Sequence, residues 1–434
     1  MDRAILHSDM NCFYASVEML HHPEFGNRPL VVGGDPEARH GIVLTANYPA
    51  KRMGVKTGMA LWQAKMVCPE VIFVPPRMDL YLRFSRMAQE IYSDYTDLRE
   101  SFGIDEMWLD VTHSTSAVGD PMHIAMEISR RIKYELGITV SIGISWNKIF
   151  AKFGSDYKKP DAITEITREN YRQLVWNSPA PDLLYVGRST AKRLAALGIC
   201  TIGDIATASP DFMTSQFGKI GYILWVFANG GDETPVCPEN SIAPIKSIGN
   251  STTTPRDLTD DEDVKMVMYL LSESVAGRLR DNHFVGDNIS ISVRDNGLFS
   301  FTRQRRTKLP TNISDEIAKE AISLFEKNYD WSKPIRSVGV RVSNLIPDEY
   351  CYQLDLFTDP AIREKQLKTD MAVDSLRKRF GHDSVLRARM YLDRVLSGLD
   401  ARAEDHMNHP HSYFERGNQV LKFSKTEKGA HDNE

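Results

Sequence analysis

Two adjacent carboxylates, Asp105 and Glu106, interrupt the apolar stretch Ser101-Phe-Gly-Ile-Asp-Glu-Met-Trp-Leu-Asp110. The stretch has branched and aromatic residues and no proline, so it reads as a strand. Burying two like charges costs several kcal/mol unless something neutralises them. Either the acids sit at a strand end and reach water, or a divalent cation balances them, for which hard oxygen ligands suit Mg²⁺. Neighbours on a regular strand point to opposite faces, so both acids reach one cation only at a hairpin end or bulge. Such a site also needs a further carboxylate from elsewhere in the chain.

The N-terminal region supplies one. Ala4-Ile-Leu-His-Ser-Asp9 reads as a short strand ending in an acid, and Met10 to Glu18 as a turn leading into a helix. The carboxyl edge of a strand is where α/β architectures place chemistry. Together, Asp9-Met-Asn-Cys-Phe-Tyr-Ala-Ser-Val-Glu18 and Gly103-Ile-Asp-Glu106 resemble the signature of the Y-family DNA polymerases, the translesion enzymes, and most closely the bacterial polymerase IV type. The resemblance extends over about residues 1–345. It implies two Mg²⁺ ions held by Asp9, Asp105 and Glu106, with the Met10 carbonyl as a further ligand. It also implies that Tyr14 is the aromatic steric gate beneath the nucleotide sugar, with Phe13 the next candidate. Gly103 stands where the family often has serine, and Met107-Trp108 replaces simpler pairs; these departures bear on packing behind the strand.

The whole chain sets bounds on this reading. Its 434 residues suffice for several domains, and 42% hydrophobic with 26% charged residues is ordinary for a soluble protein. No apolar run reaches eighteen residues, so neither a membrane span nor a signal peptide is expected, and the expected location is cytoplasmic. Five scattered cysteines without CxxC spacing point to reduced thiols and against structural zinc. A net charge of −5 is unusual for a nucleic-acid binder, so any DNA contact must come from local patches.

From Ala38 to Pro69 the chain has five Lys or Arg and no acid, which favours an anion nearby. Within it, Thr45-Ala-Asn-Tyr-Pro-Ala-Lys-Arg-Met-Gly-Val55 resembles the family's triphosphate-binding motif. Thr45 and Tyr48 match. The usual arginine falls on Lys51 with Arg52 beside it, and either could hold the phosphates. Lys159, in Lys158-Lys-Pro160, matches the family lysine that looks toward the triphosphate. Residues 79–98 show helical spacing, as do 121–136, and Thr139 to Ser145 alternates as a strand.

By resemblance the fold is a right-hand polymerase of mixed α/β and α+β domains. Its α/β palm spans 1–19 and 78–166, with fingers at 20–77 and a helical thumb at 167–233. A linker at 234–245, with three prolines in its first eleven residues, precedes a little finger at 246–345. The stretch Asp182 to Ile199 resembles a helix-hairpin-helix, which sets backbone N–H groups against a DNA phosphate; Gly187, Arg188 and Lys192 would lie there. Tyr185 stands where a first hairpin glycine is common. In the little finger, Thr259-Asp-Asp-Glu262 reads as a capping box opening a helix, with strands at 288–294, 298–306 and 335–342. Arg303, Arg305 and Arg306 occur with no acid among 298–308, and alternation puts Arg303 and Arg305 on one face, suited to a phosphate backbone. Arg336 and Arg341 add to this set.

Tyr352-Gln-Leu-Asp-Leu-Phe357 resembles the sliding-clamp-binding peptide of bacterial replication proteins, with Gln353, Leu354, Leu356 and Phe357 as its contacts. An amphipathic helix follows (Ile362, Leu367, Met371, Leu376, Phe380) within a segment 346–400, and 401–434 reads as a disordered tail. The expected activity is template-directed DNA polymerisation of low fidelity without proofreading, used in translesion synthesis and repair. The expected partners are primer-template DNA, deoxynucleoside triphosphates and the clamp, with the chain a monomer. The rival readings are another two-metal palm enzyme, such as a nucleotidyl cyclase, and a catalytically inactive DNA-binding scaffold of the same fold. Neither accounts for a hairpin grip, a basic strand and a clamp peptide together with all three acids.

Overall fold

The computed structural model describes residues 2–34, 41–238, 245–349 and 359–399. They fall into two compact units that divide near residue 242. The first unit opens with β1 (Ile5–Met10), buried on both faces, and α1 (Phe13–His21). There follow β2 (Leu30–Gly33), β3 (Val43–Ala46), α2 (Tyr48–Arg52), α3 (Leu61–Val67) and β4 (Ile72–Val74). These strands form their own sheet in the order β3-β2-β4, over a small core of Val31, Val43, Ala50, Leu61 and Ala64. α4 (Met78–Ser93) leads back to the larger sheet and buries Tyr81, Ala88, Ile91 and Tyr92. Its apolar residues recur at helical spacing, as a packing face requires.

β5 (Arg99–Ser101) and β6 (Glu106–Asp110) make a hairpin. Residues 102–105 are therefore its turn, where the sequence suggested one continuous strand. α5 (Thr115–Val118) and α6 (Pro121–Arg131) follow, the latter capped by Asp120, which accepts the His123 N–H at 2.8 Å. β7 (Val140–Ser145), α7 (Lys148–Tyr157) and β8 (Ile163–Glu165) complete a five-stranded sheet in the order β5-β6-β1-β7-β8. Only the β7–β8 pair is parallel. α7 covers one face of β1 and β7, and α1, α4 and α6 build the core on the other. A Cβ on Gly143 of β7 would stand 1.9 Å from the Ala151 carbonyl oxygen, so glycine is required for α7 to lie this close.

Beyond β8 the first unit is helical: α8 (Tyr171–Leu174), α9 (Arg188–Ala196), α10 (Ile202–Thr207), α11 (Pro210–Phe217) and α12 (Lys219–Ala228). They enclose Leu194, Ile202, Ile205, Met213 and Leu224. The expected linker from 234 does not begin as a free segment. Residues 232–237 run back over the sheet: Arg3 donates to the carbonyls of Asp232 and Thr234 at 3.2 and 3.0 Å, and the Cys237 N–H donates to Glu100 at 2.9 Å. Val236 is buried with Ile5, Trp108 and Ala151. Val236, set between prolines, anchors this strap together with those hydrogen bonds.

The second unit contains β9 (Ser247–Leu258), α13 (Asp261–Asp281), β10 (Phe284–Asp295), β11 (Ser300–Thr311), α14 (Ser314–Glu326) and β12 (Ile335–Pro347). The four strands are antiparallel in the order β11-β10-β12-β9, with α13 and α14 on one face. β9 was not evident from sequence because only Ile248, Thr254 and Leu258 of its twelve residues are buried, as befits an edge strand. α13 is capped by Asp260, one residue after the expected Thr259; it accepts the Asp263 N–H at 2.9 Å.

Last come α15 (Pro360–Phe380) and α16 (Arg394–Ser397). The apolar stripe expected on α15 is not its packing face, since Ile362, Met371, Leu376 and Phe380 are exposed. A charged stripe docks it instead. Arg280 of α13 binds Asp370 at 3.2 Å and Asp374 at 2.7 Å, and Glu273 accepts from Arg377 at 2.9 Å. Residues 350–358, with the clamp-like peptide, and 401–434 lie outside the described residues. Among the described residues no helix is long and apolar enough to cross a membrane.

Candidate active site

The centre of the larger sheet brings the three sequence-predicted acids to one edge. Asp9 of β1 lies directly opposite Glu106 of β6, so their side chains share a face. Asp105 is the last residue of the β5–β6 turn, and its carbonyl accepts the Met10 N–H at 3.0 Å. The hairpin end removes the alternation that would have sent Asp105 and Glu106 to opposite faces.

Lys152 and Asp156, which sequence reasoning did not single out, complete the cluster together with the expected Lys159. The Lys152 ammonium lies 3.2 Å from Asp9, 2.9 Å from Glu106 and 3.0 Å from Asp156. Lys159 lies 2.7 Å from Asp9 and 2.9 Å from Asp156. Lys152 and Asp156 are four apart on α7, and Lys148, four before Lys152, binds buried Glu100 at 2.7 Å. That spacing of cations on a helix following a buried strand was the available signal.

The electrostatics follow from burial beside these charges. Burial raises the Asp9 carboxyl above its usual range, with Lys152 opposing and Glu106 adding. Asp105 is pushed up to about 7, by burial first and then by Glu106 and Asp9. Burial is also the largest influence on Glu106, but His7, whose Nε2 lies 3.5 Å away, and the charge of Lys152 overcome it and hold Glu106 below the carboxylate range. Among the described residues no three acidic, His or Cys groups close into a finished ligand cage. The donors are nonetheless the hard oxygens that Mg²⁺ takes, with Asp105 left short of compensating positive charge.

Tyr48, the first residue of α2, brings a phenol toward the same edge. Among the described residues its buried hydroxyl has no hydrogen-bond partner. Burial, then Cys12 and Asp9, raise its pKa well above the ordinary phenol value, so it remains a donor. Asn47 fixes α2 by accepting the N–H groups of Ala50 and Leu30 at 3.1 and 3.0 Å. Lys51 is exposed with its ammonium 5.2 Å from the Tyr48 ring centre, Arg52 is exposed, and Thr45 is half-buried on β3.

Phe13 is buried, whereas Tyr14 is half-buried and stacks on Tyr81 at 4.4 Å with the rings 10° from parallel. Tyr81 donates to Glu18 at 2.6 Å, and Glu18 accepts from Arg77 Nε at 3.0 Å. This Arg77–Glu18–Tyr81 support for Tyr14 was not legible in the sequence.

The predicted DNA contacts divide. Gly187 precedes α9, with Arg188 and Lys192 exposed on that helix. Tyr185 adopts the left-handed conformation, φ 73°, that a glycine would take without strain. In the second unit Arg303 and Arg305 do share a face, but it is the helix side: Arg305 pairs with Glu320 and donates to Ser323 at 3.1 Å, and Arg303 donates to Asn328 at 3.1 Å. Arg306 and Arg341 lie on the open face with Ser290, Ser292, Gln304 and Gly339. The alternation was read correctly but could not say which face carries helices. Arg336 is half-buried beside a register shift in β12.

Residues 8–156 match the impB/mucB/samB family, and residues 245–356 match the C-terminal domain of that family. The chain is 50% identical to DNA polymerase IV of Acetivibrio thermocellus, over 92% of this chain and 100% of that protein. It is 38% identical to DNA polymerase IV of Pelotomaculum thermopropionicum, covering 88% and 94%, and 37% identical to DNA polymerase IV 2 of Bacillus subtilis, covering 89% and 94%. Among solved structures, the Y-family DNA polymerase chimera Dbh-Dpo4(243-245)-Dbh aligns with a TM-score of 0.69 at 25% identity, over 79% of this chain and 99% of that one.

Lys152→Met should leave Asp9, Glu106 and Asp156 facing one another with only Lys159 for compensation. Breaking a buried ion pair in this way costs about 3 kcal/mol. Urea unfolding in chelator should show that loss, and millimolar Mg²⁺ should restore part of it; an unchanged midpoint would show that Lys152 does not neutralise the cluster.

Proposed function

The chain belongs to the impB/mucB/samB family of Y-family DNA polymerases, and from this we propose that Asp9, Asp105 and Glu106 form the reaction centre of a translesion DNA polymerase. The enzyme adds deoxynucleotides to a primer 3′ end as the template directs. One arrangement supports the residue assignment: Asp9 paired across the strands with Glu106, Asp105 in the turn beside them, and the unpartnered Tyr48 hydroxyl nearby. The family depends on divalent metal, and we take it to be Mg²⁺, two ions per site. Held by the three acids and the Met10 carbonyl, they would lower the pKa of the primer hydroxyl and stabilise the departing pyrophosphate.

The chain's own groups position the rest. The primer 3′ oxygen bonds to the α-phosphorus, the bond to the pyrophosphate oxygen breaks, and the hydroxyl proton passes to solvent. Tyr48 and Thr45 donate to the triphosphate, and Lys51, set over the Tyr48 ring, supplies charge with Arg52 beside it. Lys159 exchanges its contact with Asp9 for the phosphates, while Lys152 stays as the fixed counter-charge. Tyr14, held flat on Tyr81, lies beneath the sugar and excludes a 2′-hydroxyl.

Residues 1–19 and 78–166 serve as palm, 20–77 as fingers, 167–233 as thumb and 246–345 as little finger. Gly187, Arg188 and Lys192 grip a phosphate, and Arg306 and Arg341 face the duplex from the open sheet. The peptide from Gln353 to Phe357, with Leu354 and Leu356, binds a bacterial sliding clamp, and the enzyme works as a cytoplasmic monomer.

Asp105→Ala should lower primer extension by on the order of 10³-fold, as loss of a preorganised electrostatic group does, while primer-template binding persists. Extension at the wild-type rate would remove Asp105 from the centre. Tyr14→Ala should reduce discrimination against ribonucleotides by on the order of 10²-fold, comparing incorporation efficiencies of the paired nucleotides. Unchanged discrimination would move the gate to Phe13. Replacing Leu356 and Phe357 by Ala should leave single-nucleotide insertion unaltered and abolish the gain in product length from a loaded clamp. Continued stimulation by the clamp would show that it binds elsewhere.

A further inference from the structure

Helix α3 has one face built into the small sheet and one left exposed among the described residues. Leu61 and Ala64 are buried, whereas Trp62 and Met66, one turn apart on the same side, are 64% and 71% exposed. A tryptophan left this open is unusual, since its large apolar ring gains most from burial. The charge of this stretch of chain says what covers it. Lys51, Arg52, Lys56 and Lys65 are all exposed, and no Asp or Glu occurs from Gly41 to Pro69. Lys51 and Arg52 serve the triphosphate, but an apolar protein partner has no need of the further Lys56 and Lys65 in a stretch without acid, whereas a nucleic acid strand does. Flat aromatic surface among cations is the chemistry that holds unpaired bases and their phosphates.

The position of the face agrees. Ile42, itself exposed, bridges to Ala60 immediately before α3. From Thr45 at the nucleotide end of β3 back to Ile42 is three residues, or about 10 Å at a strand's rise. α3 thus begins roughly that far from the triphosphate end of the site. We propose that the Trp62–Met66 face of α3 is a stacking surface for the unpaired template strand ahead of the primer, with Lys65 and Lys56 following its backbone. The proposal rests on the polymerase reading but assigns a contact which that reading does not require: the strand not yet copied, recognised through its bases' faces and without regard to sequence.

The test compares two primer-templates, one ending at the templating nucleotide and one with a six-nucleotide single-stranded 5′ extension. Wild-type protein should bind the extended template more tightly, and Trp62→Ala should remove about five- to tenfold of that affinity while binding the flush template as wild type does. Trp62→Phe should retain most of the gain. An extension of abasic residues, which has phosphates and no bases, should bind wild-type and Trp62→Ala proteins equally. Equal affinity of wild type and Trp62→Ala for the extended template overturns the proposal. So does an equal loss on both templates, which would mean the residue serves the fold or another partner. Failure of the polymerase reading itself is distinguishable, because wild type would then extend neither primer.

Discussion

The Lys152 ammonium lies within 3.2 Å of carboxylates from β1, β6 and its own helix, and the site's existence depends on that contact. Three acids cannot be gathered in a partly buried place without positive charge among them. The lysine reaches them only because α7 lies almost on the sheet, which in turn requires Gly143 beneath Ala151. One turn earlier, Lys148 binds Glu100 at 2.7 Å and stands 4.5 Å over the Trp108 ring. The same helix therefore fixes the hairpin carrying Asp105 and Glu106 and neutralises the edge where they meet Asp9. Fold and chemistry share one set of contacts.

The acids stood out because charge in an apolar run is anomalous, but that left a solvated strand end and a cation site both open, and the resemblance of Asp9–Glu18 and Gly103–Glu106 to a known signature joined the three. The elements with strong periodicity were legible: β1, α4 and β7 each announce a buried face. What stayed hidden depends on tertiary neighbours. The four-residue spacing of Lys148 and Lys152 is a local hint, but it separates Lys152 from a solvated lysine only once β1 is known to lie under α7. Alternation placed Arg303 and Arg305 together, but the side that packs on α14 is decided by Ile289, Ile291 and Val293 on the adjacent strand. α15 misled for the opposite reason: it has an apolar stripe, yet Arg280 and Glu273 offer it a better-matched charged surface.

The net charge of −5 is reconciled with DNA binding by segregation. The open face of the second unit carries small residues; a Cβ on Gly339 would stand 2.5 Å from the Ser292 hydroxyl. Among the described residues Arg306 and Arg341 on that face form no ion pair, while other charges of the unit are paired internally, as in Asp370–Arg280 and Glu273–Arg377. Local field, and not overall sign, is what a phosphate backbone meets.

The strap at 232–237 bears on how such a protein can be recombined. Its residues follow the helical domain in sequence yet belong physically to the first sheet, through Arg3, Glu100 and the pocket that receives Val236. A modular boundary drawn at residue 233, where the helices end, would hand these residues to the wrong parent. A grafted C-terminal unit would then carry a foreign strap onto a sheet shaped for this one, exposing Ile5 and Trp108. The natural seam for exchanging the second unit lies after Pro238, several residues beyond where secondary structure alone would put it.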